Sequence, residues 1–170
     1  MRKVILGVAV SLDGFIEGPN GEYDWCFTDQ DYGMKDFLKR IDTVLYGRKS
    51  FEMAGGNVFP DKKAYVFSNT LGQTEGAGLL QGDALTALAS LKAEPGKDMW
   101  LFGGAELTTS LLNGRLVDEL WLAVHPLLLG KGKLLFQGLP GRIHTRLISQ
   151  KAYSTGLVSL AYEVKYHDQP

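Results

Sequence analysis

Short apolar runs that stop at glycine or serine and then give way to helical patterns are what most narrow the folds open to this chain. Residues 4–10 form a continuous apolar run, as a strand covered on both faces requires. It ends in Ser11-Leu12-Asp13-Gly14, a turn signal, and residues 15–21 continue as loop. Thr43-Val44-Leu45-Tyr46 is a second run and stops at Gly47. Ala64-Tyr65-Val66-Phe67 is a third and stops at Ser68-Asn69-Thr70. Met99-Trp100-Leu101-Phe102 is a fourth and runs into Gly103-Gly104, and residues 120–124 form a further strand.

The intervening segments read as helices. Residues 29–40 have Asp29 as a cap, with Tyr32, Phe37, Leu38 and Ile41 on an imperfect apolar face. Residues 48–53 form a short helical stretch with Phe51 inward. Asp83 caps a helix in which Leu85, Leu88 and Leu91 share a face, and Pro95-Gly96 ends it. Residues 106–113 are helical and stop at Gly114. The tail changes period: Val158, Leu160, Tyr162, Val164 and Tyr166 alternate with more polar residues, as in a half-exposed strand. Residues 142–152 should pair with it across a turn at Tyr153-Ser154-Thr155-Gly156. Strands alternating with helices, then an antiparallel end, predict an α/β fold. Its sheet is mostly parallel and twisted, with helices on both faces. One domain over residues 1–170 is expected.

Composition excludes several classes. The 18 Lys+Arg and 19 Asp+Glu leave a net charge of −1, with no basic excess to neutralise nucleic-acid phosphates. Aromatic residues at 11% and the low net charge exclude a disordered chain. Met1-Arg2-Lys3 followed by apolar residues mimics a signal peptide, but the run stops at Ser11-Leu12-Asp13-Gly14 with no convincing small-x-small cleavage site, so it reads as strand. No apolar stretch reaches the roughly 20 residues of a membrane helix. Cys26 is the one cysteine and cannot form an intramolecular disulfide, which suits the cytoplasm as default location.

In an open parallel sheet, ligands sit beyond the carboxyl ends of the strands. Three strand ends here share a design: Gly47-Arg48-Lys49-Ser50, Ser68-Asn69-Thr70 and Gly103-Gly104-Ala105-Glu106-Leu107. Glycine lets backbone approach a ligand, free helix N–H groups favour anionic oxygen, and arginine binds phosphate bidentately. Each turn alone has an ordinary structural reading, as a tight turn or a solvated charge pair. Together they describe a cleft for a phosphate-bearing cofactor. Other chemistries lack their motifs. Gly132-Lys133 is followed by Leu134 where a Walker loop needs Ser or Thr, and neither G-x-G-x-x-G nor G-x-S-x-G occurs. His125, His144 and His167 lack metal-ligand spacing, so no metal site is expected. His125 reads as a structural strand-end residue and Cys26 as a buried, inert thiol.

These motifs, in order, resemble the dihydrofolate reductase superfamily. The nearest branch is the reductase domain of the bifunctional riboflavin-biosynthesis deaminase/reductase. Ser11-Leu12-Asp13-Gly14-Phe15-Ile16, Gly47-Arg48-Lys49-Ser50-Phe51-Glu52, Val66-Phe67-Ser68-Asn69-Thr70 and Leu101-Phe102-Gly103-Gly104-Ala105 carry the likeness. Val117-Asp118-Glu119-Leu120 and Pro126-Leu127-Leu128-Leu129-Gly130-Lys131-Gly132 follow. The resemblance implies a three-layer α/β/α fold and an NADPH-dependent reductase, similar to 5-amino-6-(5-phosphoribosylamino)uracil reductase. By that likeness Arg48, Lys49, Ser50, Ser68, Asn69 and Thr70 would hold the adenosine 2′-phosphate and pyrophosphate, with Gly47 in the first turn. Gly103, Gly104, Ala105, Glu106 and Leu107 would cover pyrophosphate and nicotinamide, with Ala9 and Ile16 flanking the nicotinamide.

At the substrate end, dihydrofolate reductases keep a carboxylate on the first helix, and Asp31 stands sixteen positions before Gly47. The competing reading makes Asp31 an exposed first-turn acid. The riboflavin branch implies Asp13, Asp24 and Trp25 as substrate contacts. The zinc deaminase motifs H-x-E and P-C-x-x-C are absent from these residues, so a stand-alone reductase-like domain is expected. Its substrate would be a small heterocyclic or carbonyl-like molecule. Dihydrofolate reductase proper, or a non-catalytic nucleotide-binding module, are the alternatives. Relatives in this branch dimerise, which implies a homodimer, with the alternating C-terminal strand offering a dimer edge.

Overall fold

The structure, a computed structural model, describes residues 1–166, so His167 lies outside the described residues. Its first strand, β1 (Val4–Ser11), sits at the centre of an eight-stranded sheet. Around it lie β3 (Ile41–Gly47), β4 (Lys63–Phe67), β5 (Gly78–Leu80), β6 (Asp98–Gly103), β7 (Glu119–His125), β9 (His144–Ala152) and β10 (Val158–Lys165). The order is β5-β4-β3-β6-β1-β7-β10-β9. From β5 to β7 every neighbouring pair is parallel, while β10 pairs antiparallel with both β7 and β9. A separate ribbon joins β2 (Phe15–Glu17) to β8 (Lys133–Leu134).

Helices α1 (Met34–Arg40), α2 (Arg48–Ala54), α3 (Ala84–Ala93) and α4 (Ala105–Asn113) cover the sheet. Alternation along the central strands decides which face they serve. Val4 and Leu6 join Leu45, Met99 and Leu101 in a core closed by Leu88 and Leu91 of α3 and Leu111 and Leu112 of α4. Ile5 joins Val44, Tyr46 and Trp100 in a second core closed by Phe37 of α1 and Phe51 of α2. The fold is therefore three-layered α/β/α with an antiparallel edge, as expected.

Local chemistry explains where the elements begin. The Asp83 carboxylate accepts from the Thr86 backbone N–H at 2.9 Å and starts α3. α1 begins five residues later than the pattern suggested. Gly33 takes φ +92°, a left-handed conformation that breaks the helical path. Asp29 is turned to the Tyr32 hydroxyl, at 2.6 Å, instead of capping. Residues 15–17, expected as loop, are a strand held by pairing with the distant β8, and residues 78–80 add a further short strand that pairs with β4. The free edge is also corrected. β10, with Tyr162, lies between β7 and β9, so the outer edge is β9, exposed along its whole length. Among the described residues no helix is long and apolar enough to cross a membrane.

Candidate active site

Parallel pairing places the carboxyl ends of β3, β4 and β6 at one edge of the sheet, and the three suspected turns meet there. They line a cleft of about 280 Å³. From β3 and α2 come Gly47, Arg48, Lys49 and Ser50. After β4 come Ser68, Asn69 and Thr70. From the start of α4 come Gly104, Ala105, Glu106 and Leu107. Ile16 lies in the opposite wall with Glu17 and Lys133 of the β2–β8 ribbon.

The turns pack backbone against backbone. A Cβ on Gly47 would stand 3.4 Å from the Gly103 carbonyl oxygen and 3.6 Å from the Gly104 Cα. Gly103 and Gly104 adopt φ of +150° and +107°, which other residues rarely reach. No side chain caps α4, so its first N–H groups are available for an anionic oxygen. Arg48 leans on Glu52 at 3.1 Å on the surface, and the Ser68 hydroxyl accepts from the backbone N–H groups of Thr70 and Leu71, each at 3.2 Å.

Beyond Ile16 and Gly104 the cleft adjoins an apolar pocket of about 520 Å³, where Ala9 and Gly103 are found with Met34, Met53, Phe59, Trp100 and Phe102. A smaller cavity of about 220 Å³ shares Gly7, Val8, Ala9, Cys26, Met34 and Trp100 with it, and adds Phe27, Trp121 and His125. Gly7 makes this wall possible. A Cβ there would lie 2.7 Å from Trp100 Nε1, whose N–H donates to the Gly7 carbonyl at 2.9 Å.

The expected substrate contacts fall elsewhere. Asp31 is exposed and lies two residues before the Gly33 cap of α1, outside the helix, where its carboxylate accepts from the Lys35 backbone N–H at 3.2 Å. Asp13 accepts from Ser11 Oγ at 2.6 Å and from the N–H groups of Leu129 and Gly130 at 3.1 and 2.8 Å. These bonds, the Ser11 hydroxyl first, hold its carboxyl below the usual range while tying the exit of β1 to the loop after β7. Asp24 is exposed. Trp25 rests its ring edge-on against His125, with centroids 5.3 Å apart. None of these four residues lines the two apolar cavities; their neighbour Cys26 does. Burial, with the Asp24 charge, pushes its thiol up to about 11, so it is neutral and unreactive at ordinary pH.

His125, the last residue of β7, fastens the loop that carries Cys26. Its Nε2 accepts from the Phe27 backbone N–H at 3.0 Å. The ring proton therefore sits on Nδ1, which donates to the Ala123 carbonyl at 2.9 Å. A second proton, on Nε2, would face the Phe27 N–H with another donor. Burial accordingly holds this imidazole below its usual pKa. Between the folded and unfolded values the folded protein binds fewer protons, so stability rises with pH there. We expect the His125 contribution to be complete above about pH 6.5, the unperturbed histidine value, and to fade as pH falls through the folded value. Thermal unfolding across pH checks this, and H125Q should flatten that part of the profile.

The sequence reading missed Glu17, Lys133, Met53 and the Trp100-Phe102 face. Trp100 and Phe102 were legible, because residues two apart on a strand share a face and these lead into Gly103. Glu17 and Lys133 carried no local signal, since only pairing across 116 positions brings them together.

The model of the RibD C-terminal domain matches residues 2–159. The chain is 45% identical to the uncharacterized protein YyaP of Bacillus subtilis (strain 168) over 177 aligned positions, covering 95% of this chain and 94% of that protein. A putative riboflavin biosynthesis protein from Shewanella sp. PV-4 superimposes with a TM-score of 0.84 at 26% identity, covering 98% of this chain and all of that one. Dihydrofolate reductase from Enterococcus faecalis, solved with NADP(H), gives 0.70 at 19% identity, over 95% and 94% of the two chains, which shows a shared fold. With the domain model matched from Arg2 to Ser159, the chain belongs to the RibD C-terminal domain family, a family of reductase type.

Proposed function

We propose that the protein is an NADPH-dependent reductase that passes hydride to a small heterocyclic (pyrimidine- or pterin-like) or carbonyl-like substrate. The observation that carries this reading is the junction of two unlike cavities: a cleft walled by Arg48, Lys49 and an uncapped helix start, adjoining an apolar pocket. The residues fit the cofactor. Side chains at Gly47, Gly103 and Gly104 would crowd the space where the turns approach each other, and Arg48 supplies the planar donor that a 2′-phosphate needs. When bound, the dihydronicotinamide supplies the hydride.

The protein's own residues bind, orient and exclude water. Arg48, Lys49, Ser68 and Asn69 hold phosphate oxygens. Gly103 and Gly104 admit the pyrophosphate beside the α4 N–H groups. Ala9 and Ile16 flank the ring, and Trp100, Phe102 and Met34 keep the neighbouring space dry, which strengthens electrostatics during transfer. Dihydrofolate reductase proper would need Asp31 beside the substrate ring, and its surface position weighs against that reading.

Calorimetric titration with NADPH and NADH tests the proposal. Saturable binding that favours NADPH is expected, and no binding of either at millimolar cofactor overturns it. Tight binding without oxidation by any pterin, pyrimidine or flavin would favour a nucleotide-binding module.

A further inference from the structure

The two apolar cavities beyond the nucleotide cleft are built to one chemical specification. The rings of Phe59, Trp100 and Phe102 stand against one another with centroids 5.0 to 6.4 Å apart. Thioethers of Met34 and Met53 fill beside them. The indole, imidazole and Tyr32 polar atoms in these walls already hold protein partners. Trp100 Nε1 donates to the Gly7 carbonyl, Trp121 Nε1 donates to Ser159 Oγ at 3.0 Å, and both His125 nitrogens hold backbone groups. The Tyr32 hydroxyl donates to Asp29. The rest of the lining is mostly ring, aliphatic and thioether surface, with the uncharged polar side chains of Tyr23, Cys26, Thr28, Gln30 and Ser50 among it.

Charge is distributed just as unevenly. Among the described residues lining the two cavities there is no lysine or arginine, and Glu17, at the mouth shared with the nucleotide cleft, is the one carboxylate. Arg48, Lys49 and Lys133 all lie on the cofactor side. A phosphate monoester or a glutamyl tail carried into such a pocket would lose hydration and find no cation among the lining residues, and burying an unpaired ion is unfavourable. A flat neutral ring would exchange water for aromatic faces and gain from stacking.

We propose that the substrate is an uncharged planar heterocycle bearing neither phosphate nor carboxylate, seated between the nicotinamide position and the Trp100 wall. This rests on the reductase reading above. It sets the protein's substrate apart from the phosphoribosyl compound in the name of the uracil reductase that the chain resembles.

Two matched pairs test it on protein saturated with NADP⁺, by calorimetry: 5-amino-6-ribosylaminouracil against its 5′-phosphate, and 7,8-dihydrobiopterin against 7,8-dihydrofolate. The uncharged member of at least one pair should bind about tenfold tighter or better than its charged partner, as expected for an unpaired charge entering an apolar site. Equal or reversed affinities, or no binding by all four, overturn the proposal. The initial NADP⁺ and NADPH titrations report the cofactor reading separately, so its failure is seen before any substrate is added. Gln30, an exposed residue at the rim of the smaller cavity, provides the second arm. Q30K introduces a cation and should narrow the preference within the same pair; an unchanged ratio in a folded variant that still binds NADPH counts against the proposal.

Discussion

Replacing Gly104 with valine should abolish measurable NADPH binding, a loss of at least about 100-fold. Two effects act together. At φ +107° and ψ 106° the residue occupies a conformation that a β-branched side chain tolerates poorly, with a strain of about 1–3 kcal/mol. The new Cβ would also stand 3.5 Å from the Gly47 Cα, and its methyl groups would occupy the gap between the turns where the pyrophosphate is to lie. Thermal unfolding should show a lower Tm but a cooperative transition, and calorimetry should show no NADPH heat. A folded G104V protein with ordinary NADPH affinity would remove this turn from the cofactor site.

Arg48→Ala should weaken NADPH about 10- to 100-fold while leaving NADH nearly untouched. Arg48 is paired with Glu52 at 3.1 Å, one turn along α2, with both side chains well exposed. Such surface pairs contribute about 0.2–1 kcal/mol, so the guanidinium can trade its carboxylate for a phosphate at little cost. A charge-assisted contact contributes about 1.5–3 kcal/mol, which converts to the stated range. Stability should barely move. Titrations of the variant with both cofactors give the answer directly: equal losses for NADPH and NADH would show that Arg48 does not read the 2′-phosphate.

The nucleotide side of this site was readable from sequence because its chemistry is local. Gly47-Arg48, Ser68-Asn69 and Gly103-Gly104 each follow directly on an apolar run, and parallel strands bring such exits to one edge. The substrate side was not, because its walls come from residues far apart whose types are those of any core. Met34, Phe59 and Trp100 are ordinary core residue types and do pack in the core, yet they also face the pocket. The acidic residues that looked chemical went the other way: Asp13 became a loop fastener and Asp31 a surface acid. A short polar side chain beside a turn serves backbone N–H groups as readily as a ligand, and sequence alone does not separate the two.

Trp100 belongs both to the buried core against Phe37 and to the wall of the substrate pocket. One half of the pocket is thus welded to the protein's stability. Any change there must keep the sheet packed, and Gly7 leaves the indole little room to shift. The opposite half is carried by the loop of residues 18–33, held to the sheet partly through one imidazole. Divergence in substrate preference should therefore accumulate in that loop, where a new residue alters what is bound without endangering the fold, while the Gly7–Trp100 side stays put across relatives with different substrates.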